Sequence, residues 1–120
     1  HQCFETTKAI VKSLGLQEGS YSNSFQSRLL KDPWLKPYTD FELEKFPEMG
    51  KKKVAVITPA FVSDCLETLE EIAMEGKEDF LEAGGTDYKH IPCMNDNDDW
   101  VDVMVHWINN WEHNKNSIFE

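Results

Sequence analysis

Hydrophobic and polar positions divide the chain into seven short elements. Phe4, Thr7, Ile10, Val11 and Leu14 recur at helical spacing, and Gly15 follows as a stop, so the pattern predicts a helix over 3–14. Over 21–27, Tyr21, Asn23, Phe25 and Ser27 alternate with Ser22, Ser24 and Gln26, the period of a strand. Residues 29–37 hold Pro33 and Pro37 around Trp34 and read as a loop. Thr39-Asp40-Phe41-Glu42 has the form of a capping box opening a helix that ends before Gly50. The run Val54-Ala55-Val56-Ile57 within 53–58 predicts a strand buried on both faces, and Pro59 stops it. Ser63 or Asp64 then stands as cap for a helix with Leu66, Leu69, Ile72 and Ala73 on its apolar side. Helix continues through 77–83 to Gly84-Gly85, and 88–91 forms a strand ended by Pro92. Caps and acids over 95–99 open a last helix, whose apolar face is Trp100, Val101, Met104, Val105, Ile108 and Trp111. The tail after Asn114 is polar and reads as frayed.

Helices and strands alternate throughout, which predicts an α/β fold with a parallel sheet. Three strands make a small sheet, and a doubly wound domain usually has at least one more. The chain has 120 residues, which is one domain's worth, and starts at His1 without Met. It therefore reads as a piece of a longer chain.

Composition narrows the function classes. The net charge is −10, and the longest basic run is Lys51-Lys52-Lys53, so nucleic acid is a poor main partner. No apolar stretch approaches the roughly 18 residues of a membrane span. Cys3, Cys65 and Cys93 are widely spaced and odd in number, as expected of reduced thiols in a cytoplasmic protein. His1, His90, His106 and His113 are scattered, and no phosphate-binding glycine loop or nucleophile elbow occurs.

The chemistry-bearing feature is the helix after the central strand. Asp64, Glu67, Glu71 and Glu75 are spaced 3, 4 and 4 apart. On an α-helix they fall within about 80° of one another. The strand-to-helix order puts the first two at the carboxyl end of a parallel strand, where open α/β sheets bind ligands. The row is either a solvated acidic face or a line of carboxylates that attracts a divalent cation and accepts protons. Trp34 between two prolines is either a loop residue packed on the core or a rigid wall for a flat ligand.

Two ordered motifs carry a family resemblance. Phe25-Gln26-Ser27-Arg28 followed by Asp32-Pro33-Trp34-Leu35-Lys36-Pro37-Tyr38-Thr39-Asp40 is one. Pro59-Ala60-Phe61-Val62-Ser63-Asp64-Cys65-Leu66-Glu67-Thr68-Leu69-Glu70-Glu71-Ile72 is the other. Together with Phe80-Leu81-Glu82-Ala83-Gly84-Gly85 and Ile91-Pro92-Cys93-Met94-Asn95, they resemble ferrochelatases of the Gram-negative bacterial type over roughly residues 20–105.

The resemblance implies a Rossmann-like three-layer sandwich, with residues 1–120 forming the C-terminal half of a two-half enzyme. It implies insertion of Fe²⁺ into protoporphyrin IX with release of two protons, the last step of haem synthesis. Glu67 matches the family's active-site carboxylate, and Asp64, Glu71 and Glu75 extend a proton and metal relay around it. Trp34, Gln26 and Ser27 match residues that position the porphyrin. Related chelatases for coproporphyrin or cobalt share the fold, and a metal- or porphyrin-binding module is the non-enzymatic alternative. The family's catalytic His lies upstream in a Ser-x-His-Gly motif that His1-Gln2-Cys3-Phe4 does not match, so this chain alone is expected to be inactive. Some bacterial members carry a [2Fe–2S] cluster on four cysteines, and Cys3 stands where such a segment would end. The same resemblance leads to the expectation of a cytoplasmic enzyme, with any peripheral contact at the inner membrane made through the other half.

Overall fold

The computed structural model describes residues 1–27 and 33–113. The elements are α1 (Gln2–Leu14), α2 (Thr39–Glu48), β1 (Lys53–Val56), a π-wound helix (Glu67–Glu75), α3 (Gly76–Glu82), β2 (Asp87–His90) and α4 (Asp98–His113). Strands β1 and β2 pair in parallel, Val54 opposite Tyr88 and Val56 opposite His90. The π segment and α3 form the crossover between them, and α2 packs against α3. This is the α/β arrangement the alternation predicts.

The core is small and sits between the helices and one face of the sheet. Among the described residues its buried apolar side chains are Leu43 and Pro47 of α2, Ile72 of the π segment and Phe80 of α3. Phe80 leans on the Tyr88 ring, centroids 5.8 Å apart. Gly85 passes so close over Phe80 that an added Cβ would lie 2.1 Å from the ring, so the turn after α3 needs glycine there.

Several local expectations give way to tertiary structure. The 21–27 stretch is not a strand; it makes a single parallel bridge, Phe25 to Tyr38. Its backbone is held by Phe25 N–H to Pro37 O and Thr39 N–H to Phe25 O, while Ser27 takes a positive φ of 60°. No capping box forms at α2, because Tyr38 is the cap residue and the Thr39 hydroxyl is spent on Ser24 Oγ at 2.9 Å. Strand β1 is not buried on both faces. Val54 and Val56 are half-buried, while Lys53 and Ala55 are exposed. The predicted loop over 29–37 and the frayed tail fall partly or wholly outside the described residues.

The apolar side of the third helical stretch is rotated from expectation. Leu66 and Leu69 are exposed, and the buried positions are Thr68, Ile72, Gly76 and Phe80. These recur every four residues. A four-residue repeat drifts around an α-helix of 3.6 residues per turn, and a wider i→i+5 winding reduces the drift. Helix α4 exposes Val101, Met104, Val105, Ile108 and Trp111, and α1 has no buried residue.

Candidate functional site

Both strands deliver their chains to one edge of the sheet, and the loops that follow are stitched together. Ile91 N–H bonds Val56 O at 2.9 Å, Asn95 N–H bonds Val62 O at 3.0 Å, and the Thr58 hydroxyl meets Cys93 Sγ at 3.3 Å. The π-wound helix starts from this edge. Five of the seven residues singled out from the sequence form a hydrogen-bonded group beside it.

That group is built outward from Gln26. The Trp34 indole Nε1 donates to Gln26 O at 2.8 Å, fixing the backbone just before Ser27. The Gln26 Nε2 donates to the Glu67 backbone carbonyl at 2.9 Å, tying the segment to the first residue of the π-wound helix. Ser27, turned by its positive φ, donates Oγ to Glu71 Oε2 at 2.8 Å. Asn, Asp and Gly enter that backbone region most readily, so a serine held there by a carboxylate marks a site under constraint. A cavity of about 210 Å³ opens here, walled by Gln26, Ser27, Glu71, Glu75 and Asp79. Glu75 is exposed at its rim.

Glu67 is partly exposed, and its carboxyl lies below its ordinary range. The Cys65 thiol donates to it first, its own backbone N–H second, and burial opposes them. It is therefore an anion near neutral pH, a species suited to attract a cation and to accept a proton from a stronger acid.

Asp64 has a different office. It precedes the helix and does not lie on the carboxylate face. Its Oδ2 accepts from Asn95 Nδ2 at 2.7 Å, and its Oδ1 accepts from the Thr68 hydroxyl at 3.0 Å and the Cys93 N–H at 3.3 Å. Asn95 Oδ1 in turn accepts from the Asp64 N–H at 2.8 Å. The Asn95 bond above all, then those from Cys93 and Thr68, hold the Asp64 carboxyl down at about 2 against the effect of burial. A carboxylate so acidic and so occupied is a poor proton acceptor and a strong clamp between the strand-end loops. Neither Ser63 nor Asp64 caps a helix N–H. Instead Cys65 O accepts from the N–H groups of Thr68 and Leu69.

The acid behaviour of this clamp is testable. The folded pKa lies below the ordinary 3.8, so the clamp's stabilising effect is whole above that value and is lost as pH falls through about 2. Asn95→Ala removes its largest cause. The carboxyl titration of Asp64, followed by NMR, is expected to move from about 2 toward 3.8 in that variant. An unmoved midpoint would contradict the clamp.

Sequence reasoning missed Thr68, Asn95 as a partner, and Asp79. Thr68 is fully buried and accepts the Cys65 N–H at 3.0 Å. Asp79 was legible as one more four-residue step beyond Glu75. Burial first, with the nearby Asp64 carboxylate also raising it and Thr58 opposing, pushes the Cys93 thiol up and keeps it neutral. Cys3 is exposed on α1. The chain has three cysteines and a [2Fe–2S] cluster takes four, so a cluster that used Cys3 would draw ligands from outside these 120 residues. Among the described residues no group of three or more His, Cys, Asp and Glu side chains could hold a metal ion. Among them, too, no helix is long and apolar enough to cross a membrane.

Comparison with known proteins decides the family. The ferrochelatase family model matches residues 1–111. The chain belongs to the ferrochelatase family. It is 49% identical over 110 residues to the ferrochelatase of Opitutus terrae, covering 92% of this chain and 32% of that protein. It is 50% identical over 104 residues to the ferrochelatase of Pseudomonas putida KT2440, covering 87% of this chain and 31% of the relative. The ferrochelatase of Pseudomonas aeruginosa PAO1 is 48% identical over 104 residues, with the same coverage. The chain thus spans about a third of the length of the curated relatives it matches.

Proposed function

We propose that this chain supplies the carboxylate side of a chelatase site that inserts Fe²⁺ into protoporphyrin IX. The observation that carries the reading is the linked group Trp34, Gln26, Ser27, Glu67 and Glu71 at the carboxyl edge of the parallel strands. Family membership supplies the reaction class.

The chemistry asks for what these residues offer. A porphyrin must lose two N–H protons as one divalent ion takes their place, so the products are metalloporphyrin and two protons. Glu67, ionised, draws the cation by charge, and it accepts a proton once the incoming cation has made the pyrrole N–H groups acidic. Glu71, held by Ser27, and Glu75, at the cavity rim, carry protons outward and iron inward. Asp64 acts by holding the loops that frame this row. Trp34 and Gln26 set the wall against which the flat macrocycle lies. Fe²⁺ and the porphyrin are substrates in this reading, and no resident cofactor is needed.

The sequence contains no Ser-x-His-Gly motif, so turnover belongs to the full-length protein and the 120 residues alone are inactive. The test is an anaerobic metallation assay of the full-length protein, with protoporphyrin IX and coproporphyrin each offered Fe²⁺ or Co²⁺. The expected result is the highest kcat/KM for Fe²⁺ with protoporphyrin IX. Preference for coproporphyrin or Co²⁺ would reassign the substrate, and binding without turnover would make the protein a carrier.

A further inference from the structure

The carboxylate row depends on where the backbone changes its winding. The Gly76 N–H reaches five residues back, to Glu71 O, and α-helical bonding begins at Gly76. In α-helical bonding the next donor, Lys77, reaches four residues back, to Ala73. The change from five to four passes over one carbonyl, that of Ile72. A carbonyl left without a partner in a buried helix is costly.

The structure fills this gap from the sheet. The Tyr88 hydroxyl, on β2, donates to Ile72 O at 2.7 Å. Burial pushes this phenol up to about 12, so it stays a donor across the physiological range. Gly76 makes room for the contact. A Cβ there would stand 2.8 Å from Leu43 Cδ1, 3.1 Å from Glu71 O and 3.3 Å from the Tyr88 hydroxyl. Helix α2 and strand β2 therefore close on the junction from two sides.

We infer that Tyr88 is a positioning residue for the carboxylate row. Its hydroxyl takes the carbonyl that the change of winding releases, and so fixes the rotation of Glu67 and Glu71 relative to Gln26 and Ser27. Without that hydroxyl the Ile72 carbonyl must find a backbone donor, and the nearest solution is to rewind 71–77 with four-residue bonds. Rewinding turns every residue before the junction about the helix axis, the Glu71 side chain and the Glu67 carbonyl included. Tyr88 reaches Ile72 from beneath the helix and has no part in the hydrogen-bonded group that faces the cavity.

The activity arm of the test rests on the chelatase reading, whereas the structural arm does not. Full-length protein carrying Tyr88→Phe is crystallised, and its kcat and KM for porphyrin are measured beside the wild type. The expected result has two parts. Gly76 N–H moves from Glu71 O to Ile72 O, and kcat falls by about tenfold or more while KM stays within twofold. Tyr88→Phe is also expected to cost little when added to Glu67→Gln, because the row it positions is already disabled. Gly76→Ala, which crowds the same junction from inside, is expected to repeat the kcat loss if the phenylalanine variant folds poorly. Retained five-residue bonding at Gly76, or rewinding with unchanged kcat, overturns the inference. If the wild type itself does not turn over, the chelatase reading fails and the position of the Gly76 bond alone decides the claim about Tyr88.

Discussion

Glu67→Gln in the full-length protein is expected to lower kcat by roughly 10²–10⁴-fold, the range for loss of a general acid or base. The substitution keeps size and shape and removes the anion. Binding of porphyrin should persist, because the contacts that set its wall run through Trp34 Nε1, Gln26 Nε2 and the Glu67 backbone carbonyl. None of these needs the Glu67 carboxylate. KM for porphyrin is therefore expected within a few-fold of wild type, and the thermal midpoint close to unchanged. Steady-state metallation rates with a melting curve check this. A kcat within threefold of wild type would remove Glu67 from the chemistry. A lowered melting point with a raised KM would mean that its role is structural.

The second large effect is on stability. Phe80→Ala is expected to destabilise the fold by about 3–5 kcal/mol. Phe80 is fully buried, and among the described residues only Leu43, Pro47 and Ile72 are apolar side chains buried like it. Its ring supports Tyr88 from one side and lies under the Gly85 backbone on the other, so its removal leaves a cavity between two rigid elements. A backbone turn and a strand cannot collapse into that space as side chains would. Urea titration of the full-length protein checks the size. A loss under 1 kcal/mol would show that the core lies elsewhere.

How much of this was legible follows from which interactions are local. The bounds of α1, α2 and α3, the two parallel strands and the glycine stops rest on periodicity and left-handed turns, which the sequence carries within a few residues. The strand expected over 21–27 failed for a long-range reason. Its alternation is real, but its backbone bonds go to Pro37 and Thr39 and not to a ladder. The capping box failed because Thr39 found Ser24, fifteen residues away. The exposed Leu66 and Leu69 record a misread period. Buried positions repeat every four residues through Thr68, Ile72, Gly76 and Phe80, and a polar threonine and a glycine hid that stripe from a search for apolar residues.

The site was legible to a different degree. Residue types and spacing drew attention to Glu67, Glu71, Glu75 and Trp34, and the family motifs added Gln26 and Ser27. The structure joins five of these six by hydrogen bonds and puts Glu75 in a cavity wall with Gln26, Ser27 and Glu71, while Trp34 and Glu67 lie outside that wall. Asp64 looked like a fourth member because it stands three residues before Glu67. Its carboxylate is instead engaged by Asn95, Cys93 and Thr68, two of which lie about thirty residues away in sequence. In the sequence Tyr88 is only a strand residue, since nothing there marks a hydroxyl that meets a carbonyl across the fold.

The most direct measurement is a single turnover. Full-length protein loaded with protoporphyrin IX is mixed anaerobically with Fe²⁺, in weak buffer with a pH indicator, and porphyrin absorption is followed beside proton release. The account predicts one burst in which metal enters and two protons leave per porphyrin, with the burst slowed by Glu67→Gln while the porphyrin stays bound. A burst of equal rate in wild type and variant would contradict it.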